Sequence, residues 1–264
     1  MRSRSNATVN NSGTINNIAG NGSNGGRGGN ATFIAGSSGR SRSNATVNNS
    51  GTITNRAGDG INGGVGGNAT FIAGSSGRGR SNATVNNSGT INNIAGNGVN
   101  GGRGGDATFI GGSSGRGRSN ATVNNSGTIT NRAGDGINGG QGGNATFIAG
   151  SSGRGRSNAT VNNSGTITNR AGDGINGGQG GDATFIGGSS GRGRSNATVN
   201  NTGTITNRAG DGSNGGVGGN ATFVGGSSDR GRGNVAVTNT GTINNTAGNG
   251  SNGGRGGDAV FIGN

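Results

Sequence analysis

Arginine is the residue type in this sequence with the clearest capacity for ligand chemistry. All 21 basic residues are Arg, and 14 of them form R-x-R pairs at a fixed spacing. A guanidinium group binds carboxylates and phosphates through paired hydrogen bonds, so the pairs predict a stripe that attracts a polyanion. An anionic polysaccharide and a nucleic acid are both candidates, and a solvated charged edge is the alternative. The candidate stripe contains Arg78, Arg80, Arg116, Arg118, Arg154 and Arg156.

Thr-Ile-Thr triplets form a second candidate surface. Successive residues of a strand point to opposite sides, so an inward Ile53 would leave both flanking Thr residues pointing outward. A flat and regular Thr array resembles the surface of ice-binding solenoids, although Thr is also an ordinary strand residue. The candidate ice-binding face contains Thr52, Thr54, Thr128 and Thr130.

Two Gly-rich motifs resemble ligand sites without meeting their requirements. Residues 58–63 match G-x-G-x-x-G, but no helix is predicted after them, as a dinucleotide site requires. Residues 101–109 fit the calcium nonapeptide only in part, since few of the repeats carry Asp at the equivalent of Asp106. Both are interpreted as turns, and we expect no cofactor and no metal site.

The composition argues against an enzyme. The chain contains no His, Cys, Lys, Glu or Tyr, which removes most general bases, nucleophiles and soft metal ligands. Only 24% of its residues are hydrophobic, too few for a conventional core, and the net charge is +13. Low hydrophobicity and high charge are also typical of disordered chains. We expect a non-enzymatic protein.

A strict internal repeat argues for an ordered fold. One 38-residue unit fills residues 1–264 without insertion or deletion, as a solenoid requires, because an insertion would displace a whole turn. We therefore expect one solenoid domain. The seven repeats start near residues 5, 43, 81, 119, 157, 195 and 233.

Apolar residues occupy fixed columns of this repeat. They predict a core ladder that contains Val47, Ile53, Phe71, Phe109 and Phe147, and Ile72 belongs to a fourth apolar column. Alternation over residues 45–53 predicts one half-buried strand, and residues 68–73 predict a second. Glycines at 60, 63 and 66 predict a thin side where chains approach closely.

These observations predict an all-β, Gly-rich parallel β-solenoid of seven repeats with no helix. Identical side chains would stack from turn to turn. A repeat of 38 residues could form one wide turn or two smaller turns, and we favour one wide turn.

Charge is gained and lost in pairs along the repeats. Arg56 has Asp59 three residues later, and the same pairing recurs with Arg132, Arg170 and Arg208. Where that Arg is replaced, the Asp becomes Asn. The pattern predicts local ion pairs, although duplication of two repeat types would also produce it.

Two stretches carry a family resemblance. The sequence VNNSGTI at residues 47–53 resembles rungs of bacterial β-helical surface proteins, including autotransporter passengers and secreted adhesins. The sequence GGRGGDATFI at residues 101–110 resembles the Gly-rich repeats of mycobacterial PGRS proteins. The resemblance implies a parallel β-solenoid displayed outside the cell, or at a cell or virion surface, as an adhesin or structural fibre.

Both ends of the sequence lie within the repeat. An open turn is a template for strand pairing, so we expect copies of this chain to associate head to tail into a filament. The alternative is that the chain is a fragment of a longer repeat protein, which would show the same ends. No signal peptide is visible, and no apolar run is long enough to span a membrane as a helix.

Overall fold

The computed structural model is a β-solenoid in which each turn contains one 38-residue repeat. It describes residues 4–39, 42–73, 75–77, 80–111, 113–115, 118–149, 151–153, 157–187, 189–191, 195–225, 227–228 and 233–262. These residues contain no helix, and all their strand pairs are parallel, as the sequence predicts. Each strand residue pairs with the residue 38 positions later, as Val47 does with Val85. One repeat is therefore one wide turn.

Four parallel sheets run along the axis, in chain order around the turn. Sheet 1 contains Arg4–Asn11, Arg42–Asn49, Arg80–Asn87, Arg118–Asn125, Ser157–Asn163, Ser195–Asn201 and Gly233–Asn239. Sheet 2 contains Thr14–Ile18, Thr52–Arg56, Thr90–Ile94, Thr128–Arg132, Thr166–Arg170, Thr204–Arg208 and Thr242–Thr246. Sheet 3 contains Ala31–Ile34, Ala69–Ile72, Ala107–Ile110, Ala145–Ile148, Ala183–Ile186, Ala221–Val224 and Ala259–Ile262. Sheet 4 contains Ser37–Gly39, Ser75–Gly77, Ser113–Gly115, Ser151–Gly153, Ser189–Gly191 and Ser227–Ser228.

The core is a narrow interior filled by stacked identical residues. Val47 of sheet 1, Ile53 of sheet 2 and Phe71 of sheet 3 are fully buried and belong to one cluster. The rings of Phe109 and Phe147 stack with centroids 4.7 Å apart and an angle of 0° between their planes. Ladders of this kind replace a thick apolar interior, which explains how a chain with so few hydrophobic residues can fold.

One expectation about the strands needs correction. The stretch predicted as one strand over residues 45–53 is divided at Ser50 and Gly51 between sheets 1 and 2, where the chain turns a corner. The Asn49 side chain donates a hydrogen bond of 3.1 Å to the carbonyl of Gly51 and so holds this corner. The column of Ile72 lies on the outer side of sheet 3, because the preceding Phe71 points inward.

The predicted thin side is a two-layer lobe of glycine backbone between sheets 2 and 3. Gly58 donates to the carbonyl of Gly29 at 2.9 Å, and Gly67 donates to the carbonyl of Gly58 at 2.8 Å, so the layers bond directly to each other. At the tip, Asn62 and Gly63 have φ values of 57° and 81°, the backbone of a type I′ turn. The chain can therefore reverse direction without an apolar interior at this edge.

Candidate functional site: the outer faces of the solenoid

A row of arginines marks one edge of the outer face of sheet 1. Arg42, Arg80 and Arg118 occupy the same strand position in three successive turns, and all three are exposed. Parallel pairing holds their Cα atoms about 4.8 Å apart. Arg78, Arg116, Arg154 and Arg156, the other members of the predicted stripe, lie outside the described residues.

The rest of this outer face is uncharged and polar. Moving along the strand from Arg42, its outward columns are those of Asn44, Thr46 and Asn48. Asn82 donates to the side chain of Asn44 at 3.0 Å, and Asn86 donates to that of Asn48 at 2.8 Å. A groove of about 590 Å³ follows the far edge and is lined by the columns of Asn48, Asn49 and Ser50. The face therefore combines an Arg row, two amide ladders and a polar groove, all parallel to the axis.

The predicted ice-binding residues lie on the outer face of sheet 2. Thr52, Thr54, Thr128 and Thr130 are half-buried and point away from Ile53 and its equivalents. Asn92 is the register partner of both Thr54 and Thr130 and interrupts their column. The same face also carries the columns of Arg56 and Ile94, so Thr shares it with Asn, Arg and Ile. Ice binding stays a prediction for this face.

All four predicted Arg–Asp pairs are present, each with its Arg on sheet 2. Arg132 approaches Asp135 at 2.6 Å, and Arg56 approaches Asp59 at 3.4 Å. The remaining two pairs are Arg170 with Asp173 and Arg208 with Asp211. The pairs lie at the surface, where an ion pair stabilises by about 0 to 1 kcal/mol. Each Asp of this column therefore has an Arg as its neighbour, although duplication of two repeat types would give the same pattern.

A second role of these acidic positions was not evident from the sequence. The Asp59 side chain accepts a hydrogen bond of 2.7 Å from the backbone N–H of Asn97 in the next turn, and Asn97 accepts one of 2.8 Å from Asp135. Only the Oδ1 atom is needed, and both Asp and Asn supply it. The restriction of this column to Asp and Asn was the available signal.

We expect the Arg132–Asp135 pair to contribute little to stability. Arg132→Gln and Asp135→Asn should each change the free energy of unfolding by less than about 1 kcal/mol, because the pair is partly solvated and Asn preserves the bond between turns. A double-mutant cycle in urea should give a coupling of about 0.2 to 1 kcal/mol. A coupling well above this range would show that the pair is a structural element of the fold.

The two Gly-rich motifs are structural in this arrangement. The G-x-G-x-x-G residues 58–63 form one layer and the tip of the glycine lobe, and Asp106 donates its backbone N–H to the Asn68 side chain at 2.9 Å. Within the described ranges, no three His, Cys, Asp or Glu side chains lie close enough together to hold a metal ion. The part of the chain that the structure describes also has no helix long and apolar enough to cross a membrane.

The four sheets repeat with one fixed register along the axis, as the repeats of a solenoid do. No protein family, curated protein or solved structure matches this chain. The function must therefore be inferred from the faces and edges of the solenoid itself.

Proposed function

We propose that this protein is a non-enzymatic structural solenoid that assembles end to end into a fibre at a surface outside the cell. The observation that carries the proposal is the near-perfect repetition of one cross-section. Neighbouring Phe rings are 4.7 to 4.9 Å apart along the whole ladder, and the angle between their planes is 8° for Phe33 and Phe71 and 0° to 2° for the other pairs. Because every turn repeats the same register and spacing, the first turn of one copy could continue the last turn of another.

The last described turn exposes a Phe side chain that the inner turns bury. Phe261 is 52% exposed, whereas Phe223 one turn earlier is fully buried. Val260 and Ile262 are also exposed on this turn. The outermost strand of a parallel sheet has unpaired N–H and C=O groups that can pair with another chain.

A second copy that continued the register would satisfy these groups. Its Phe33 would stack on Phe261, and the Asn ladders would extend across the junction as they extend within the chain. A head-to-tail contact of this kind does not close on itself, so it generates a filament. Surface scaffolds and adhesin fibres need this combination of length and regularity.

Two single methyl groups should prevent this assembly without disturbing the fold. A Cβ on Gly20 would meet nothing within 4 Å, and one on Gly256 would come no closer than 3.6 Å to another atom. Within the stack, a Cβ on the equivalent Gly96 or Gly104 would lie under 3.0 Å from a carbonyl of the adjacent turn. Each of the single variants Gly20→Ala and Gly256→Ala should therefore keep the melting temperature of the wild type. Each should also abolish filaments in negative-stain electron microscopy.

Ser23→Ala is the matched control in the first turn. Its column already accepts Ile61 and Val99, so an Ala at this position should leave filament formation unchanged. The proposal is wrong if the wild type forms only short single particles at high concentration. It is equally wrong if Gly20→Ala forms filaments as well as Ser23→Ala does.

A further inference from the structure

We infer that the outer face of sheet 1 binds a linear acidic polysaccharide that runs parallel to the solenoid axis. The surface used is the Arg row of Arg42, Arg80 and Arg118 together with the Asn and Thr columns beside it. This inference goes beyond the proposed fibre and is independent of it, because the face lies on the side of every turn and not at an end.

The Arg row is a concentrated line of positive charge. Two unit charges held at the strand spacing of about 4.8 Å would repel in water by about 0.9 kcal/mol, and exposed guanidinium groups that spread farther apart would repel less. The strand segment from Arg42 to Asn49 contains no acidic residue, and the four ion pairs among the described residues all involve sheet 2 arginines. Small anions must therefore gather along this row, and a linear polyanion gains free energy by releasing them.

The columns beside the row supply hydrogen bonds to a polymer rich in hydroxyl groups. An Asn side chain has two N–H donors, and each ladder bond, such as Asn82 to Asn44, uses one of them. The second donor is directed away from the ladder bond, and the next outward column adds Thr hydroxyls. A chain lying along the axis would meet the same donors once per turn, with the groove beside Asn48 and Ser50 at its far edge.

The face lacks the groups that favour nucleic acid. Proteins that bind single strands stack the bases on aromatic side chains. The sequence has no Tyr or Trp, and all seven Phe residues form the interior ladder. Guanidinium groups beside amides and hydroxyls instead match a polymer that carries both carboxylate or sulfate groups and free hydroxyls.

The test compares two triple variants of equal net charge. Arg42→Gln, Arg80→Gln and Arg118→Gln together remove the row. Arg27→Gln, Arg103→Gln and Arg255→Gln together remove three exposed arginines of the glycine lobe, in a column that already holds Gln141 and Gln179. Both should fold with the circular dichroism spectrum and melting temperature of the wild type.

Binding is measured to heparin, alginate, neutral dextran and single-stranded DNA over a range of salt concentrations. We expect the wild type to bind heparin and alginate and not dextran. The row variant should bind at least ten-fold more weakly than the wild type, and the slope of log K against log salt should fall by about 2 to 3. The glycine-lobe variant should lose less than three-fold.

Several results would overturn the inference. Equal losses in the two variants would mean that net charge alone drives binding. Tighter binding to DNA than to either acidic polysaccharide would reassign the face to nucleic acid, and no binding to any of the probes would remove the site altogether. None of these results bears on filament formation, which is scored separately with Gly20→Ala.

Discussion

Gly96→Ala is expected to destabilise the solenoid by more than about 3 kcal/mol, beyond the usual range for an added methyl group in a core. A Cβ at this position would lie under 3.0 Å from the carbonyl oxygen of Gly58 in the preceding turn, a separation that real Cβ atoms do not show. No side chain can rotate away, because the colliding atom is backbone. Gly96 and Gly58 are also held by bonds of 2.9 Å and 2.8 Å to Gly67. The turns must therefore separate, and bonds of the glycine lobe must break.

The matched control for Gly96→Ala is the same substitution in the first turn. Gly20 belongs to the same column, and a Cβ there would meet nothing within 4 Å, so the unfolding free energy of Gly20→Ala should stay within about 0.5 kcal/mol of the wild type, as for an ordinary surface change. Urea titration followed by circular dichroism measures both variants, at a concentration low enough to prevent filaments. Equal stability of the two would show that successive turns of the glycine lobe are not in close contact.

The sequence predicts the strand register of this fold because every column of equivalent residues repeats with the same period of 38 positions. A single missing residue would displace Val47, Ile53 and Phe71 from the turns above and below, so the strict period of 38 positions carries the same information as the strand pairing. The glycine triplet also indicated the thin lobe. Spacing and residue type were sufficient here, since the fold consists of one local unit repeated along an axis.

Other features could not be predicted from alternation. The period of two continues through Asn49, Gly51 and Ile53 although the chain turns a corner there, so it cannot show where sheet 1 ends and sheet 2 begins. Sheet 4 consists of Ser-Ser-Gly segments such as Ser75–Gly77, which resemble a loop in composition. The outward position of Ile72 was available in principle, because two adjacent strand residues cannot both face the core.

The burial of the Asn side chains is another feature that the sequence does not predict. The sequence indicates Asn ladders but not which of them are buried. In the structure, Asn55 and Asn93 are fully buried and Asn68 is exposed. The buried column contains Asn in every repeat, whereas the column of Asn68 accepts Asp, as at Asp106. Invariance alone does not mark burial, since the column of Asn82 is also Asn in every repeat and is exposed. The hydrogen bonds to carbonyls of sheet 3 distinguish the Asn93 column.

Asn93→Asp should cost about 3 to 5 kcal/mol at neutral pH, the range for a buried charge without a partner. The Asn93 amide donates to the carbonyls of Ala69 at 3.1 Å and Thr108 at 2.9 Å, and to the Asn131 side chain at 2.8 Å. A carboxylate would direct an oxygen at these acceptors in place of an N–H group. Asn68→Asp is the matched control, because its Oδ1 accepts only the backbone N–H of Asp106, which a carboxylate also does. This variant should stay within about 1 kcal/mol of the wild type, with the repulsion from Asp106 one turn away included.

The pH dependence of the unfolding free energy lost in Asn93→Asp tests whether the buried charge causes that loss. Burial disfavours the ionised form, so the pKa of the new carboxyl should be raised in the folded state above its unfolded value of about 4. The folded state then binds more protons than the unfolded state, and the stability of the variant must fall as pH rises between those two pKa values. Below about pH 4 the new carboxyl is protonated in both states. The loss of unfolding free energy should then shrink to the part caused by the altered hydrogen bonds. A deficit that is the same at pH 3 and pH 7, relative to Asn68→Asp, would mean that water reaches this ladder and that the interior between sheets 2 and 3 is open.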